Sequence, residues 1–154
     1  LVDYYTTNKE KYFIDSTYTF MHYFFSADND SENRSYKGYE NLIKDLNIES
    51  DPFFLGKTFV DLSLREIENN FGNNFSRNFE NIEINSWLGP FESAFGHHII
   101  YVRNVKEGAY PNINQIIQQI EVDFLLNQKD AALENYLNEI RSEYKIYINP
   151  DLQI

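Results

Sequence analysis

The stretch SWLGPFESAFGHHIIYVRN, residues 86–104, constrains this chain more than any other. HHIIYVRN (97–104) has the β-branched and aromatic density of a strand; SWLGPFES reads as a bulge or short strand, with AFG as the turn between them. Neighbouring residues on a strand point to opposite faces, so His97 and His98 cannot comfortably share one metal ion. His98 shares its face with Ile100 and Val102, and His97 keeps a solvated or packing role on the other. A second strand candidate, TYTFMHYFFS (17–26), puts Tyr18, Phe20, His22 and Phe24 on one face and Thr19, Met21, Tyr23 and Phe25 on the other. Paired side by side, the two strands would bring His22 and His98 together. The residues alone leave two readings open: satisfied core histidines, or half of a site.

Composition narrows the classes. A formal net charge of -11 and 42% hydrophobic residues describe an acidic globular chain. Such a chain lacks the basic surface needed to displace counterions from nucleic acid, or to dock on an anionic bilayer. Nucleic acid is therefore excluded as a partner, while a polypeptide client is not. There is no cysteine, which removes disulfides, thiolate metal sites and cysteine nucleophiles. A zinc site would need two carboxylates beside the histidines, from other elements. No apolar run approaches the roughly 20 residues that cross a bilayer. The abrupt start at Leu1 is what a segment of a longer protein would show.

Along the chain, LVDYYTTNKEKYF (1–13) reads as an amphipathic helix and ADNDSENRS (27–35) as a polar loop. YKGYENLIKDLN (36–47) is predicted helical, DPFFLG (51–56) a turn, and KTFVDLS (57–63) a weak strand. Ser63 with Glu66 forms a capping box for LREIENNF. NNFSRNFENIEI (73–84) places Phe75, Phe79 and Ile82 on one helical face. From Asn112 to about Tyr144 runs a helical pattern of some 30 residues, about 45 Å long at 1.5 Å per residue. A compact part of this size cannot cover all of its apolar stripe. A break near Asn127–Asp130, a missing N-terminal partner or a second chain is expected. KIYI (145–148) reads as a short closing strand.

The order of these elements, with Gly89-Pro90, Gly96 and His98-Ile99-Ile100 in ungapped spacing within FSRNFENIEINSWLGPFESAFGHHIIYV (75–102), resembles the parvulin family of peptidyl-prolyl cis-trans isomerases. MHYFF (21–25) resembles the family's first strand, which carries a histidine at that place. The resemblance implies an α+β fold. Its four-stranded, mainly antiparallel sheet is flanked by helices and followed by a long C-terminal helix, whole or broken, and a short terminal strand. The expected division is 1–13 as an N-terminal helix remnant, 14–106 as the isomerase-like domain and 107–154 as a C-terminal extension. The extension is similar to segments flanking parvulin domains in bacterial chaperone-foldases.

The implied activity is isomerisation of X–Pro bonds in unfolded or secreted polypeptides, without covalent intermediate, metal or cofactor. The alternative is a catalytically weak chaperone or peptide-binding module. By the resemblance, His22 and His98 form the catalytic floor, and Phe71 and Phe75 the apolar wall of a proline pocket, with Phe79 left to the core. The family's second strand carries a Gly-Asp-Leu-Gly-type motif; KTFVDLSLREIENN stands here instead. Its apolar contribution is Phe59, Val60 or Leu62. Asp51 is the carboxylate nearest by spacing to the family's Cys or Asp beside the histidines, with Asp61 or no carboxylate as alternatives. Implied partners are proline-containing clients, and a second copy or an intramolecular partner along the C-terminal helix. The implied setting is extracytoplasmic, periplasmic or membrane-associated, with membrane anchorage of a full-length protein among the options.

Overall fold

In a computed structural model the backbone is described for residues 1–152 and the side chains for residues 1–144. The chain divides into two units, Ile14–Ala109 and the pair Leu1–Phe13 with Tyr110–Ile154.

The first unit is built on four strands: β1 (Thr17–Ser26), β2 (Thr58–Ser63), β3 (Trp87–Glu92) and β4 (Gly96–Lys106). They pair antiparallel throughout in the order β2-β1-β4-β3. The two strands with mid-strand histidines are therefore the central ones, held by ladders on both sides. Along β1 burial alternates as the sequence pattern requires, with Tyr18, Phe20, His22 and Phe24 buried. These residues and Ile100 and Val102 of β4 face Phe59 of β2, Ile67 and Phe71 of the helix α3 (Leu64–Phe71), and Phe75 and Phe79 of the following 3-10 turn, Phe75–Phe79. This is the larger of two cores.

On the opposite face Phe25 and Ile99 pack with Leu42 of helix α2 (Ser31–Ile43). The helix begins inside the segment expected as a loop. Its buried residues, Ser31, Ser35, Gly38 and Leu42, recur at helical spacing, but three of the four are small and make no apolar pattern. They let the helix approach the sheet closely. A Cβ on Gly38 would sit 2.9 Å from the Phe25 ring and 3.4 Å from Ile99. Gly96 plays a similar part at the start of β4, where φ is 151° and a Cβ would collide with the Phe25 carbonyl oxygen.

Two further expectations differ. The sequence pattern predicts a helix over 73–84, but helical structure stops at the Phe75–Phe79 turn. Asn74 and Asn81, at positive φ, bracket it, and asparagine readily takes that conformation at turns. The two rings still face the core, so the apolar spacing was real and the element shorter. In β2 the strand alternation is interrupted: Tyr18 pairs with Leu62 and Phe20 with Phe59, so β2 carries one extra residue there. Asp61 lies at φ 51° within this bulge.

In the second unit a short helix α1 (Val2–Thr7) is followed by a 3-10 turn, Lys9–Tyr12, and the long helix α4 (Ile117–Leu152). Tyr12 Oη donates to Asp123 at 2.7 Å, and the Tyr4 ring meets Phe124 edge-on at 5.6 Å. The helix runs without a break through Asn127–Asp130. Residues 145–148, expected as a closing strand, are helical as well. A four-residue strand needs a neighbour for its backbone groups, whereas a helix satisfies them within itself. Leu125, Leu126, Leu133, Tyr136 and Ile140 are exposed along α4. Among the described residues no helix is long and apolar enough to cross a membrane.

Candidate active site

On the central ladder Phe24 lies opposite His98, and His22 lies opposite Ile100. His22 and His98 are therefore diagonal neighbours on one face, within reach of each other's side chains. Their rings stack with centroids 5.1 Å apart, and Nδ1 of one lies 2.9 Å from Nδ1 of the other. His22 Nε2 lies 2.8 Å from the Gly56 carbonyl oxygen, and His98 Nε2 lies 2.6 Å from Ser93 Oγ.

One fixed acceptor orders the whole row. A carbonyl oxygen can only accept, so His22 carries its proton on Nε2 and donates it to Gly56. In the neutral ring Nδ1 of His22 is then bare and accepts from Nδ1–H of His98. That leaves Nε2 of His98 bare, and it accepts from the Ser93 hydroxyl. The Ser93 oxygen in turn accepts from the backbone N–H of Phe95 at 3.1 Å. Every polar atom in the row is used.

Burial favours the neutral form of both histidines. Burial drives the pKa of His98 from 6.5 down to about 2, with His22 and His97 adding charge repulsion. Burial also lowers that of His22, helped by Lys57 and opposed by the bond to Gly56. A charged imidazole in an aromatic enclosure would lack solvation. The enclosure is dense: Phe71 meets His98 at 5.1 Å and His22 at 5.6 Å, and Phe75 meets His98 at 5.2 Å. Phe59 lies 5.3 Å from both His22 and Phe71. Beside this floor opens a cleft of about 440 Å³ lined by His22, Phe24, Asp51, Phe53, Gly56 and Lys57, among others.

Five of the residues singled out by sequence thus come together: His22, His98, Phe71, Phe75 and Phe59. Val60 does not. It follows Phe59 on the strand, turns to the other face and is 65% exposed; the bulge then brings Leu62, not Val60, back toward the core. Asp51 borders the cleft but does not reach the histidines. Its carboxylate takes both guanidinium nitrogens of Arg34, at 2.7 and 2.9 Å, and the N–H of Ser26 at 2.7 Å. Arg34 and that N–H hold its pKa below the usual carboxylate value. Asp61 is further off still, paired with Lys106 at 3.0 Å on the exposed side of the sheet. His97 bonds Ser31 at 2.8 Å on the opposite face. Among the described residues no three His, Asp or Glu side chains converge as a metal-holding group.

Sequence reasoning missed Ser93, Phe53 and the Gly56 carbonyl. Ser93 had a signal. It stands two residues beyond Phe91, the partner of His98, and so on the same face. Phe53 had none, because it lies in the loop DPFFLG, where no periodicity marks an inward residue.

Residues 1–118 match the PPIC-type PPIASE domain, a span of three quarters of the chain. The chain belongs to that family. Its architecture is that of parvulin-like neighbours, an antiparallel four-stranded sheet with flanking helices and a long C-terminal helix. One similar solved structure comes from work on PEB4 and Cj1289, described as SurA-like chaperones of Campylobacter jejuni. It shares 13% identity at a TM-score of 0.59, over 92% of this chain and 60% of the other. PrsA from Bacillus subtilis shares 14% identity at a TM-score of 0.35, over 92% and 54%. This chain thus spans about three fifths or less of the length of either. No curated protein sequence matches it.

Proposed function

We propose that this domain catalyses cis–trans isomerisation of X–Pro bonds in unfolded or secreted polypeptides, with His22 and His98 as the floor of the site and Phe71 and Phe75 as the wall for the proline ring. The observation that carries the reading is the neutral Ser93–His98–His22–Gly56 row set inside a closed aromatic wall. The chemistry asked of it is modest. Amide resonance sets a barrier of about 18–20 kcal/mol, and rotation removes the charge separation that resonance creates. Water stabilises the charge-separated planar amide more than an aromatic pocket does, so moving the bond into the pocket favours the twisted state. Neutral imidazoles suit this role, since a fixed charge would act on the planar dipole. No covalent bond is made or broken, and Ser93 orients His98 rather than attacking.

A second reading, a peptide-binding chaperone module with weak turnover, is favoured by one observation. The Asp51 carboxylate is committed to Arg34 and Ser26 rather than to the histidines. An extracytoplasmic client pool suits both readings and is proposed with them. The deciding measurement is NMR exchange spectroscopy on an Ala-Pro peptide. The isomerase reading expects acceleration that falls at least about tenfold in His98→Gln. A wild-type rate equal to the uncatalysed one, with suppression of client aggregation retained, selects the module instead.

A further inference from the structure

The wall of the candidate proline pocket is not open. Phe71 and Phe75 are fully buried, as are both histidines. Most of what buries them is core: Phe20, Phe59 and Phe79 belong to the packed interior and have no route out. One covering ring does not. Phe53, in the loop between α2 and β2, is half-buried, and it stacks on Phe71 at 5.4 Å with an interplanar angle of 19°. It also stands edge-on to His22 at 5.1 Å and to His98 at 5.4 Å. Its outer side borders the cleft. A ring packed flat on Phe71 and edge-on to both histidines holds the place a client's proline ring must take, and a phenyl ring vacates more room than a pyrrolidine needs.

We propose that Phe53 is the gate of this site, an internal occupant that a client displaces on entry. The proposal rests on the isomerase-fold pocket being the client site. The loop is fixed at its ends, and within it one turn bond runs from the Gly56 N–H to the Phe53 carbonyl at 2.9 Å, leaving the Phe53 ring free to turn. At one end Asp51 holds Arg34 and Ser26, and its N–H bonds the Phe24 carbonyl at 2.7 Å. At the other, His22 bonds the carbonyls of Gly56 and Lys57, at 2.8 and 3.0 Å. Between these ends Phe54 is 70% exposed, and Phe95, in the turn between β3 and β4, is 38% exposed. Their rings lie 5.0 Å apart and 4.7 and 5.6 Å from Phe53. An aromatic resting place therefore exists just outside the pocket. Phe53 can leave Phe71 for it without freeing either end of the loop.

A closed gate reduces apparent affinity by the fraction of molecules that are open. The test is titration of wild type and Phe53→Ala with the tetrapeptide Ala-Leu-Pro-Ala, with isomerisation followed by NMR exchange. The expected result is about tenfold or more tighter binding by Phe53→Ala. Binding equal to or weaker than wild type overturns the gate. If Phe53→Ala binds more tightly but neither protein accelerates exchange, the gate stands and the isomerase reading fails. If wild type catalyses and Phe53→Ala gains nothing, the gate fails alone. Should Phe53→Ala not fold, wild type decides. At saturating unlabelled peptide, nuclear Overhauser contacts between labelled Phe53 and Phe71 must give way to contacts between Phe71 and the peptide proline. Their persistence overturns the proposal.

Discussion

Lowering the pH from 7 to 5 should destabilise this fold, and His98 sets the least amount. Its pKa is about 2 in the folded chain, against 6.5 ordinarily. The unfolded chain therefore takes up a proton near pH 6.5 that the folded chain refuses, so stability is fully present above 6.5 and falls as pH falls. At pH 5 the gap is about 1.5 units; at about 1.36 kcal/mol per unit, His98 costs about 2 kcal/mol. The ring is fully buried, so no screening discount applies. His22 is shifted in the same direction and adds to the loss. The carboxylates held low, Asp51 and Glu68, also lose stability on acidification, but they act below this window. Against the about 5–15 kcal/mol of a typical domain, a loss of this size is easily read. Urea melts at pH 7, 6 and 5 measure it, with His98→Gln as the control. The variant removes one of the two refused protons, so its stability should fall less steeply than that of wild type. A wild-type stability flat from pH 7 to 5, or a slope unchanged in His98→Gln, would refute the buried neutral pair.

Other substitutions test separate parts of the structure. Ser93→Ala removes the donor to a buried imidazole nitrogen and should cost about 1–3 kcal/mol in urea melts, with the His98 Nε2 nitrogen shift moving to that of an unbonded acceptor. Gly38→Ala pushes a methyl group against Phe25 and Ile99 and should cost about 1–3 kcal/mol by overpacking, read as a lowered midpoint at unchanged slope. Val60→Lys, on the exposed face of β2, should change stability by no more than about 0.5 kcal/mol and leave peptide affinity as it was.

What the sequence made legible follows from which patterns side chains are forced to show. A central strand must alternate, so His22 and His98 could be put on inner faces from TYTFMHYFFS and HHIIYVRN, and the ladder places them as diagonal neighbours. Phe71, Phe75 and Phe79 were legible because bulky rings at i, i+4 spacing mark one inward face, and all three do reach the core although the helix breaks at residues 72–74. Val60 was misread because a bulge breaks alternation, and Asp61 at positive φ gives no compositional warning. The first turns of α2 were invisible for the opposite reason. Ser31, Ser35 and Gly38 are buried by being small, and hydrophobic periodicity does not count small residues. Asp51 shows the limit of spacing: position along the chain brought it to the cleft, but Arg34, 17 residues earlier, decides where its carboxylate points.

The same strand that builds the sheet also positions the loop over the site. Within β1, Phe24 offers its carbonyl and Ser26 its N–H to Asp51, while His22 offers its N–H and its ring to Lys57 and Gly56. Alternation makes this economical. His22, Phe24 and Ser26, at alternate positions, turn their backbone groups to one edge of the strand, and with the His22 ring they hold both ends of the Asp51–Lys57 segment. The Gly56 carbonyl that ends this segment is the one group in the row that can only accept. Loop position and histidine tautomer are consequently linked through a single bond of 2.8 Å. With the loop seated, protons run one way from Ser93 to Gly56; without Gly56, His22 would be free to take the other tautomer and the row to reverse. A loop fastened at Gly56 while the Phe53 ring swings would keep the row ordered, so the fixed ends serve the histidine tautomer and Phe53 between them serves access.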